Sequence, residues 1–142
     1  MHLNSIECKM HIYSLGRLLG CYDPAESVAP ACELRVVQPD VLIVSDLKKL
    51  DARGVRGAPD WVAEVLSPST ARHDRTVKLA AYERAGVREV WLIDPVDRTL
   101  TVYLLEAGYY GRATVLELKG RTQLTAVPGV TLDWARVLAK MS

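Results

Sequence analysis

The sequence predicts an α/β domain with a mixed central sheet flanked by helices. Short, largely apolar segments of strand length recur along the chain, and one strand–helix–strand unit occupies residues 61–94. Its crossover of about 22 residues is long enough for the two strands to pair in parallel. With 142 residues, of which 49% are hydrophobic and 25% charged, the chain has the size and composition of one folded domain. We therefore expect a single domain over residues 1–142.

Charge, cysteine content and hydropathy exclude several classes of protein. The net charge is only +1, so there is no global field to attract nucleic acid, and any nucleic-acid-binding surface must be local. The cysteines are odd in number and form no C-x-x-C pair, which argues against a disulfide framework; they are Cys8, Cys21 and Cys32. The sequence contains neither a membrane-length apolar segment nor a signal-peptide pattern, so we expect a cytoplasmic protein.

Two segments lack a strand pattern. In residues 1–32, apolar residues recur at three- and four-residue spacings that predict one amphipathic helix; they are Leu3, Ile6, Met10 and Tyr13. Residues 45–59 contain two glycines and no sustained period, which predicts a charged surface loop. The basic residues of this loop either bind backbone phosphates or are simply solvated, and both interpretations stay open; they are Lys48, Lys49, Arg53 and Arg56.

Two strands are predicted in the stretch between these two segments. Residues 34–37 and 41–44 are short, largely apolar and rich in β-branched side chains. Proline has no amide hydrogen to donate to a sheet. Pro39 and Asp40 are therefore expected to mark the opening of the second strand or a bulge, and not the middle of the strand.

The clearest pattern is the strand–helix–strand unit. Residues 61–66 and 89–94 are apolar strands, and the pattern between them is helical over residues 70–85. Residues 67–70 supply cap residues and a proline suited to a first helical turn. Gly86 suits the position that follows the last helical residue.

The C-terminal part is predicted to contain a hairpin and a short helix. Residues 99–105 and 113–118 are strand-like and flank a turn that contains glycine and tyrosine. Asp133 is a cap residue that opens the last helix. Tyr109 and Tyr110 in the turn either stack on nucleobases or, more commonly for an isolated aromatic pair, pack within the turn or at a dimer contact.

Glu64 is an acidic residue within an otherwise apolar strand. The two-residue period of a strand places it on the same face as Val62 and Leu66. A buried, unpaired carboxylate is costly, so Glu64 either turns to solvent, pairs with a basic residue or binds a cation. Asp40, at the head of a neighbouring apolar strand, favours the last alternative, because two converging carboxylates suit a hard divalent cation such as Mg²⁺.

Two further residues bear on this predicted site. Asp60 is four residues from Glu64 on the same strand, about 13 Å along the chain, so it is interpreted as a loop-end cap. Lys78 shares one helical stripe with Asp74 and Tyr82. Lys78 either forms a surface pair with Asp74 or reaches over the strand end to Asp40 and Glu64.

Three ordered motifs carry a resemblance to a known family. They are QPDVLIV at residues 38–44, GAPDWVAEVLSPST at residues 57–70 and DRTVKLAAYERAGVREVWLIDP at residues 74–95. From about Val36 to the C-terminus, the chain resembles the Uma-two family of restriction-endonuclease-like proteins, within the PD-(D/E)xK nuclease superfamily. The resemblance implies a mixed sheet flanked by helices and a Mg²⁺ (or Mn²⁺) site for phosphodiester hydrolysis.

The resemblance also assigns roles to individual residues. Asp40 matches the aspartate of the PD motif, Glu64 the acid of the (D/E)xK element and Lys78 a lysine carried on the helix. In this interpretation Asp40, Glu64 and the Val65 carbonyl bind the metal, and Asp40, Glu64 and Lys78 are the catalytic residues. The expected substrate is nucleic acid, with DNA as the expected form, and the expected assembly is a homodimer.

The chain departs from the family pattern in two places. Leu66 occupies the position two residues after Glu64 where the (D/E)xK element has lysine, so that role is expected to move to Lys78. Residues 1–32 contain no match to the acidic N-terminal motif usual in the family. The alternative function is therefore a catalytically degenerate module of the same fold, which binds DNA or associates with itself.

Other candidate residues have ordinary explanations. His73 stands beside Asp74 in the first helical turn and could serve as a base, but an exposed surface histidine is the favoured interpretation. Cys8, His11, Cys21 and Cys32 form an irregularly spaced set of potential Zn²⁺ ligands. Ordinary core or free thiols are the more common case for such spacing.

Overall fold

The computed structural model describes residues 11–14, 18–19, 39–51, 54–68 and 73–141. In these residues the strands are β1 (His11–Ser14), β2 (Leu18–Leu19), β3 (Val41–Val44), β4 (Leu50–Asp51), β5 (Gly54–Arg56), β6 (Trp61–Val65), β7 (Glu89–Asp94), β8 (Thr99–Glu106), β9 (Tyr109–Tyr110), β10 (Thr114–Glu117), β11 (Arg121–Gln123) and β12 (Thr131–Asp133). The helices are α1 (His73–Ala85) and α2 (Trp134–Met141), and a 3-10 turn spans Leu47–Lys49.

Within the described residues the central sheet has seven strands in the order β1-β3-β6-β7-β8-β10, with β9 paired to β8. Strands β6 and β7 are parallel, and the other pairs in this sheet are antiparallel. The sheet is therefore mixed, as predicted. The parallel pair follows from the α1 crossover, which returns the chain to the same end of the sheet.

The two faces of the sheet carry separate apolar clusters. One cluster includes Trp61, Trp91 and Trp134, and residues of α2 pack against it. The Trp91 ring lies 5.3 Å from the Trp61 ring and 6.0 Å from the Trp134 ring, measured between centroids. The other cluster includes Val62, Tyr82 and Leu92, with α1 contributing Tyr82. The predicted α/β class with helices flanking the sheet is confirmed.

Helix ends follow the local sequence. Gly86 has a φ of 86°, and its N–H donates to the Glu83 carbonyl while the Val87 N–H donates to the Tyr82 carbonyl. These two bonds satisfy the last carbonyls of α1 in the motif typical of a C-terminal glycine. At the start of α2, Asp133 Oδ1 accepts from the Ala135 N–H at 3.1 Å, as a capping carboxylate should.

The prediction of an N-terminal helix is wrong for residues 11–14. These residues form β1, which pairs antiparallel with β3 through partners such as His11↔Val44 and Ser14↔Val41. The apolar spacing that suggested a helix is local, whereas the edge of β3 offers backbone hydrogen bonds that local spacing does not reveal. The predicted strand at residues 34–37 and the rest of the predicted helix, apart from β2, lie outside the described residues.

The prediction of an irregular loop over residues 45–59 is wrong in part. Strands β4 and β5 pair antiparallel within this segment, and β5 also pairs in parallel with β2. Val55 is only 1% exposed and belongs to the α1-side cluster, against which Leu50 also packs. Two isolated apolar side chains anchor the segment, and so few residues produce no detectable periodicity.

Glu89 is a buried carboxylate to which the sequence analysis assigned no role, and it connects the segment at Ala126 to the sheet by hydrogen bonds. Glu89 in β7 is 1% exposed, and its two oxygens accept from the Trp91 indole N–H at 2.7 Å and the Ala126 N–H at 2.6 Å. Both oxygens therefore have a hydrogen-bond donor, as a buried carboxylate requires.

No helix in the described part of the chain is long and apolar enough to cross a membrane.

Candidate functional site

The register of β3 on β6 brings Asp40 close to Glu64. Val41 pairs with Ala63, so the residue before β3 faces the last part of β6. Asp40 Oδ2 accepts a hydrogen bond from the Val65 N–H at 2.8 Å. Asp40 is thereby fixed at the end of β6, beside Glu64.

Glu64 is held by two side chains of α1. Glu64 is 5% exposed. Its Oε1 accepts a hydrogen bond from the Tyr82 hydroxyl, and its Oε2 lies 3.3 Å from the Lys78 Nζ. Tyr82 is itself 1% exposed. The buried carboxylate is thus partnered at both oxygens by groups on the helix that follows its strand.

Burial raises the pKa of Glu64 above its ordinary value. The hydrogen bond from Tyr82 and the positive charge of Lys78 oppose this shift, while the negative charge of Asp40 adds to it. A carboxylate whose ionisation is disfavoured by burial and by a neighbouring negative charge is stabilised in its charged form by a cation placed beside it. The electrostatics of Asp40 and Glu64 are therefore suited to a positively charged ligand.

The ammonium of Lys78 reaches Glu64, one of the partners that the sequence offered it. Its ammonium forms the ion pair with Glu64 across the gap between α1 and β6. The side chain of Asp74, the alternative partner, lies outside the described residues, as does that of His73. Lys78 therefore contacts the predicted site, because α1 packs along the Glu64 face of β6.

These residues line a common cavity of about 200 Å³. Its polar side chains are Asp40, Glu64, Ser67, Arg75, Lys78 and Tyr82, and Val65 also lines it. Among the described residues, no group of three histidine, cysteine or carboxylate side chains is placed to hold a metal ion. An ion at Asp40 and Glu64 would need backbone, water or substrate oxygens as well, which is the usual situation for Mg²⁺.

Asp60, the rival carboxylate, has a different environment. Its Oδ2 accepts from the Ser45 N–H at 2.8 Å and from the Ser45 hydroxyl at 2.7 Å, and its Oδ1 lies 2.8 Å from the Arg88 Nη2. Burial acts to raise the pKa of Asp60, but the Ser45 hydrogen bonds and the Arg88 guanidinium outweigh it and hold that pKa below its ordinary value. Asp60 is a cap between the ends of β3 and β6, as its spacing from Glu64 predicted.

The remaining sequence candidates whose side chains the structure describes do not join the site. Tyr110 packs on Tyr103 with 5.9 Å between ring centroids, and its hydroxyl donates to the Val87 carbonyl at 2.7 Å. Lys49 donates to the Ala58 carbonyl at 3.0 Å, whereas Lys48 is exposed. The side chains of Arg53 and of the four proposed Zn²⁺ ligands, Cys8, His11, Cys21 and Cys32, lie outside the described residues.

Two residues at the site carried no predicted role. The stripe spacing placed Tyr82 on the same helix face as Lys78, but its hydrogen bond to Glu64 depends on how α1 packs on β6. Arg75 lies three residues before Lys78, at a helical spacing that could have signalled the same face. An exposed arginine in a first helical turn has no feature that separates it from ordinary surface charge.

Comparison with known proteins identifies the family. A family model described as "Uma2: Putative restriction endonuclease" matches residues 16–135. Among solved structures, a protein described as "a putative nuclease belonging to DUF820", from Anabaena variabilis, is similar with a TM-score of 0.64 and 18% sequence identity, covering 92% of this chain and 68% of that one. This likeness confirms the nuclease-like fold, and no curated protein matches the sequence. Because the family model spans most of the chain, the protein belongs to the Uma2 family.

Proposed function

We propose that this protein is a divalent-metal-dependent endonuclease that hydrolyses phosphodiester bonds in nucleic acid, with DNA as the expected form. The observation that carries the proposal is the arrangement of Asp40, Glu64 and Lys78 around one cavity. Two acids and a lysine are the groups that the resemblance to PD-(D/E)xK nucleases requires. Membership of a family described as "Putative restriction endonuclease" supports the same reaction.

The donor set fits Mg²⁺, with Mn²⁺ as the alternative ion. Asp40 and Glu64 offer carboxylate oxygens, and the Val65 carbonyl is the proposed third ligand. Mg²⁺ prefers oxygen ligands and is commonly bound by one or two carboxylates, with water and substrate phosphate completing its shell. A bound ion supplies acidification of the attacking water and neutralisation of charge on the scissile phosphate.

Lys78 and Tyr82 have different roles in the proposed hydrolysis. Lys78 hydrogen-bonds the attacking water and offsets the negative charge that develops as the water oxygen bonds to phosphorus and the P–O bond to the leaving oxygen breaks. Tyr82 is a positioning residue, because its hydroxyl orients Glu64 without reaching the reacting atoms. Lys78 replaces the lysine that the family pattern has at the position of Leu66, and its 3.3 Å contact with Glu64 supports that replacement.

We also propose that the protein forms a homodimer through its C-terminal hairpin, residues 99–118. Strand β10 ends the order of strands in the described sheet, and Val115 and Leu116 on it are 63% and 41% exposed. Two-fold dimers are the commonest way for a small domain to extend its binding surface. A domain with a net charge of +1 has particular need of such an extension.

The experiment that tests the catalytic proposal is cleavage of mixed single- and double-stranded substrates with and without Mg²⁺ or Mn²⁺. The wild-type protein should cleave only with the divalent ion, and Asp40→Asn should abolish cleavage while keeping the fold. Wild-type protein that cleaves nothing under these conditions would contradict the proposal. That result would favour the alternative, a catalytically degenerate module that binds DNA or associates with itself.

A further inference from the structure

A second cavity adjoins the proposed active site along helix α1. It measures about 330 Å³ and lies between α1 and the β8–β9 hairpin. Arg75 and Leu79 line this cavity and also the cavity of Asp40 and Glu64. We call the second cavity the tyrosine groove, after Tyr103 and Tyr110 on its hairpin side. The groove and the proposed active site are therefore neighbouring parts of one surface.

Arg75 stands where the two cavities meet. Its side chain is exposed, and it has no hydrogen-bond or ion-pair partner among the described residues. A guanidinium offers several donors in a planar fork that matches a phosphate. An arginine at the junction is placed to bind the backbone phosphate next to the one in the proposed active site.

The far part of the tyrosine groove suits a base and not a phosphate. Tyr103 and Tyr110 both line it, and the planes of their two rings make an angle of 56° with each other. Aromatic side chains of this kind are stacking platforms for bases. Glu83 also lines the groove, and its Oε2 accepts from the Tyr110 N–H at 2.8 Å. Its negative charge would repel a phosphate, but a carboxylate oxygen can accept a hydrogen bond from an amino group on a base edge.

We propose that the tyrosine groove receives an unpaired base next to the cleaved phosphodiester, while Arg75 binds the adjoining backbone phosphate. This inference rests on the proposed nuclease function and adds the substrate class. A base inside a duplex is stacked and paired, so it reaches such a groove only when its strand is single or locally opened. The preferred substrate is therefore nucleic acid that is single-stranded beside the cut.

The test measures binding without cleavage, by fluorescence anisotropy in EDTA of a labelled short oligodeoxycytidylate, whose bases carry an exocyclic amino group from which Glu83 can accept a hydrogen bond. Wild-type protein should bind this single strand more tightly than the matched duplex. Arg75→Ala should weaken binding and make the slope of log K against log salt shallower by about 0.7, the value for one phosphate contact on a single strand. Tyr103→Leu should weaken binding roughly fivefold or more through lost stacking, and Tyr103→Phe should bind like wild type.

Arg84→Ala is the matched control for Arg75→Ala. Arg84 is also exposed on α1, and nine residues at about 100° each place it on the opposite side of the helix. It should bind like wild type, with an unchanged salt slope. Equal effects of the two arginine variants, or tighter binding of the duplex, would overturn the inference. Those results would contradict the role of the tyrosine groove but would not contradict divalent-dependent cleavage. If the expected binding pattern were found but the protein cleaved nothing, only the proposed nuclease function would be contradicted.

Discussion

The Lys78 ammonium lies 3.3 Å from Glu64 Oε2, although the two residues are 14 positions apart and belong to different elements. Glu64 is buried in a strand, and Lys78 approaches it from the helix that follows. An ion pair of this kind differs from a solvated pair along one helix, which contributes only a few tenths of a kcal/mol. Lys78 is therefore the residue at which a structural and a catalytic role are most readily separated.

Replacing Lys78 by Met should leave the protein folded but reduce cleavage by on the order of 10²–10³, the usual cost of losing one preorganised electrostatic group. Lys78→Arg should restore only part of the rate, because it keeps the charge and changes the donor geometry. Steady-state cleavage rates, with circular dichroism as the check on folding, measure both effects. Unchanged cleavage by Lys78→Met would end the catalytic role of this lysine.

Glu64→Gln should abolish stabilisation of the protein by divalent ions. Wild-type protein should melt at a higher temperature in Mg²⁺ or Mn²⁺, because a ligand that binds only the folded state stabilises it by mass action. In EDTA, the variant should melt at or above the wild-type temperature, since burial raises the pKa of Glu64 and the uncharged isostere avoids that cost. Scanning calorimetry with and without the ion tests both points. An ion-induced shift that survives in the variant would exclude Glu64 as a ligand.

Tyr82→Phe should move the acid limb of the pH–rate profile to higher pH. The Tyr82 hydroxyl donates to Glu64 and lowers the pKa of that carboxyl, so its removal lets the pKa rise further. More alkaline conditions are then needed to keep Glu64 ionised. The rate at high pH should recover towards wild type, which a general loss of folding would not produce. An acid limb at the wild-type position would show that Tyr82 does not act through Glu64.

Asp60→Asn should lower the free energy of unfolding at pH 7 by about 1.5–3 kcal/mol, the range for a hydrogen bond to a charged group. The folded-state pKa of Asp60 lies below its ordinary value, so the charged form adds stability above about pH 4 and loses it as the pH falls through the folded pKa. The difference between wild type and variant should therefore shrink below about pH 4. Urea unfolding at several pH values measures it, and a constant difference would contradict this account.

The proposed dimer predicts an oligomeric state that can be measured directly. Light scattering at tens of micromolar should give twice the 15.7 kDa mass of one chain. Val115→Lys should shift the mass towards that of one chain, because it places a charge in an exposed apolar strand at the proposed interface. A wild-type mass of one chain would argue against the interface at residues 99–118.

Elements with strong local signals could be predicted from the sequence. The parallel pair β6 and β7 follows from two apolar strands joined by a long helical crossover, and Gly86 and Asp133 mark helix ends through backbone chemistry that acts within a few residues. The pairing of β1 with β3 could not be predicted in this way. It depends on a strand edge about 30 residues away, whose hydrogen-bonding capacity local periodicity does not report.

The same distinction between local signals and distant contacts applies to the candidate site. The sequence by itself determined which chemical groups are available, because Asp40 before an apolar strand, Glu64 within one and Lys78 on the next helix are visible in their spacing. Only the tertiary structure decided that Lys78 pairs with Glu64, that Tyr82 holds the other oxygen of that carboxylate, and that Arg75 joins two cavities. These contacts arise from the packing of α1 on one face of the sheet. Packing is set by the shape and burial of many side chains together, and no local spacing encodes it.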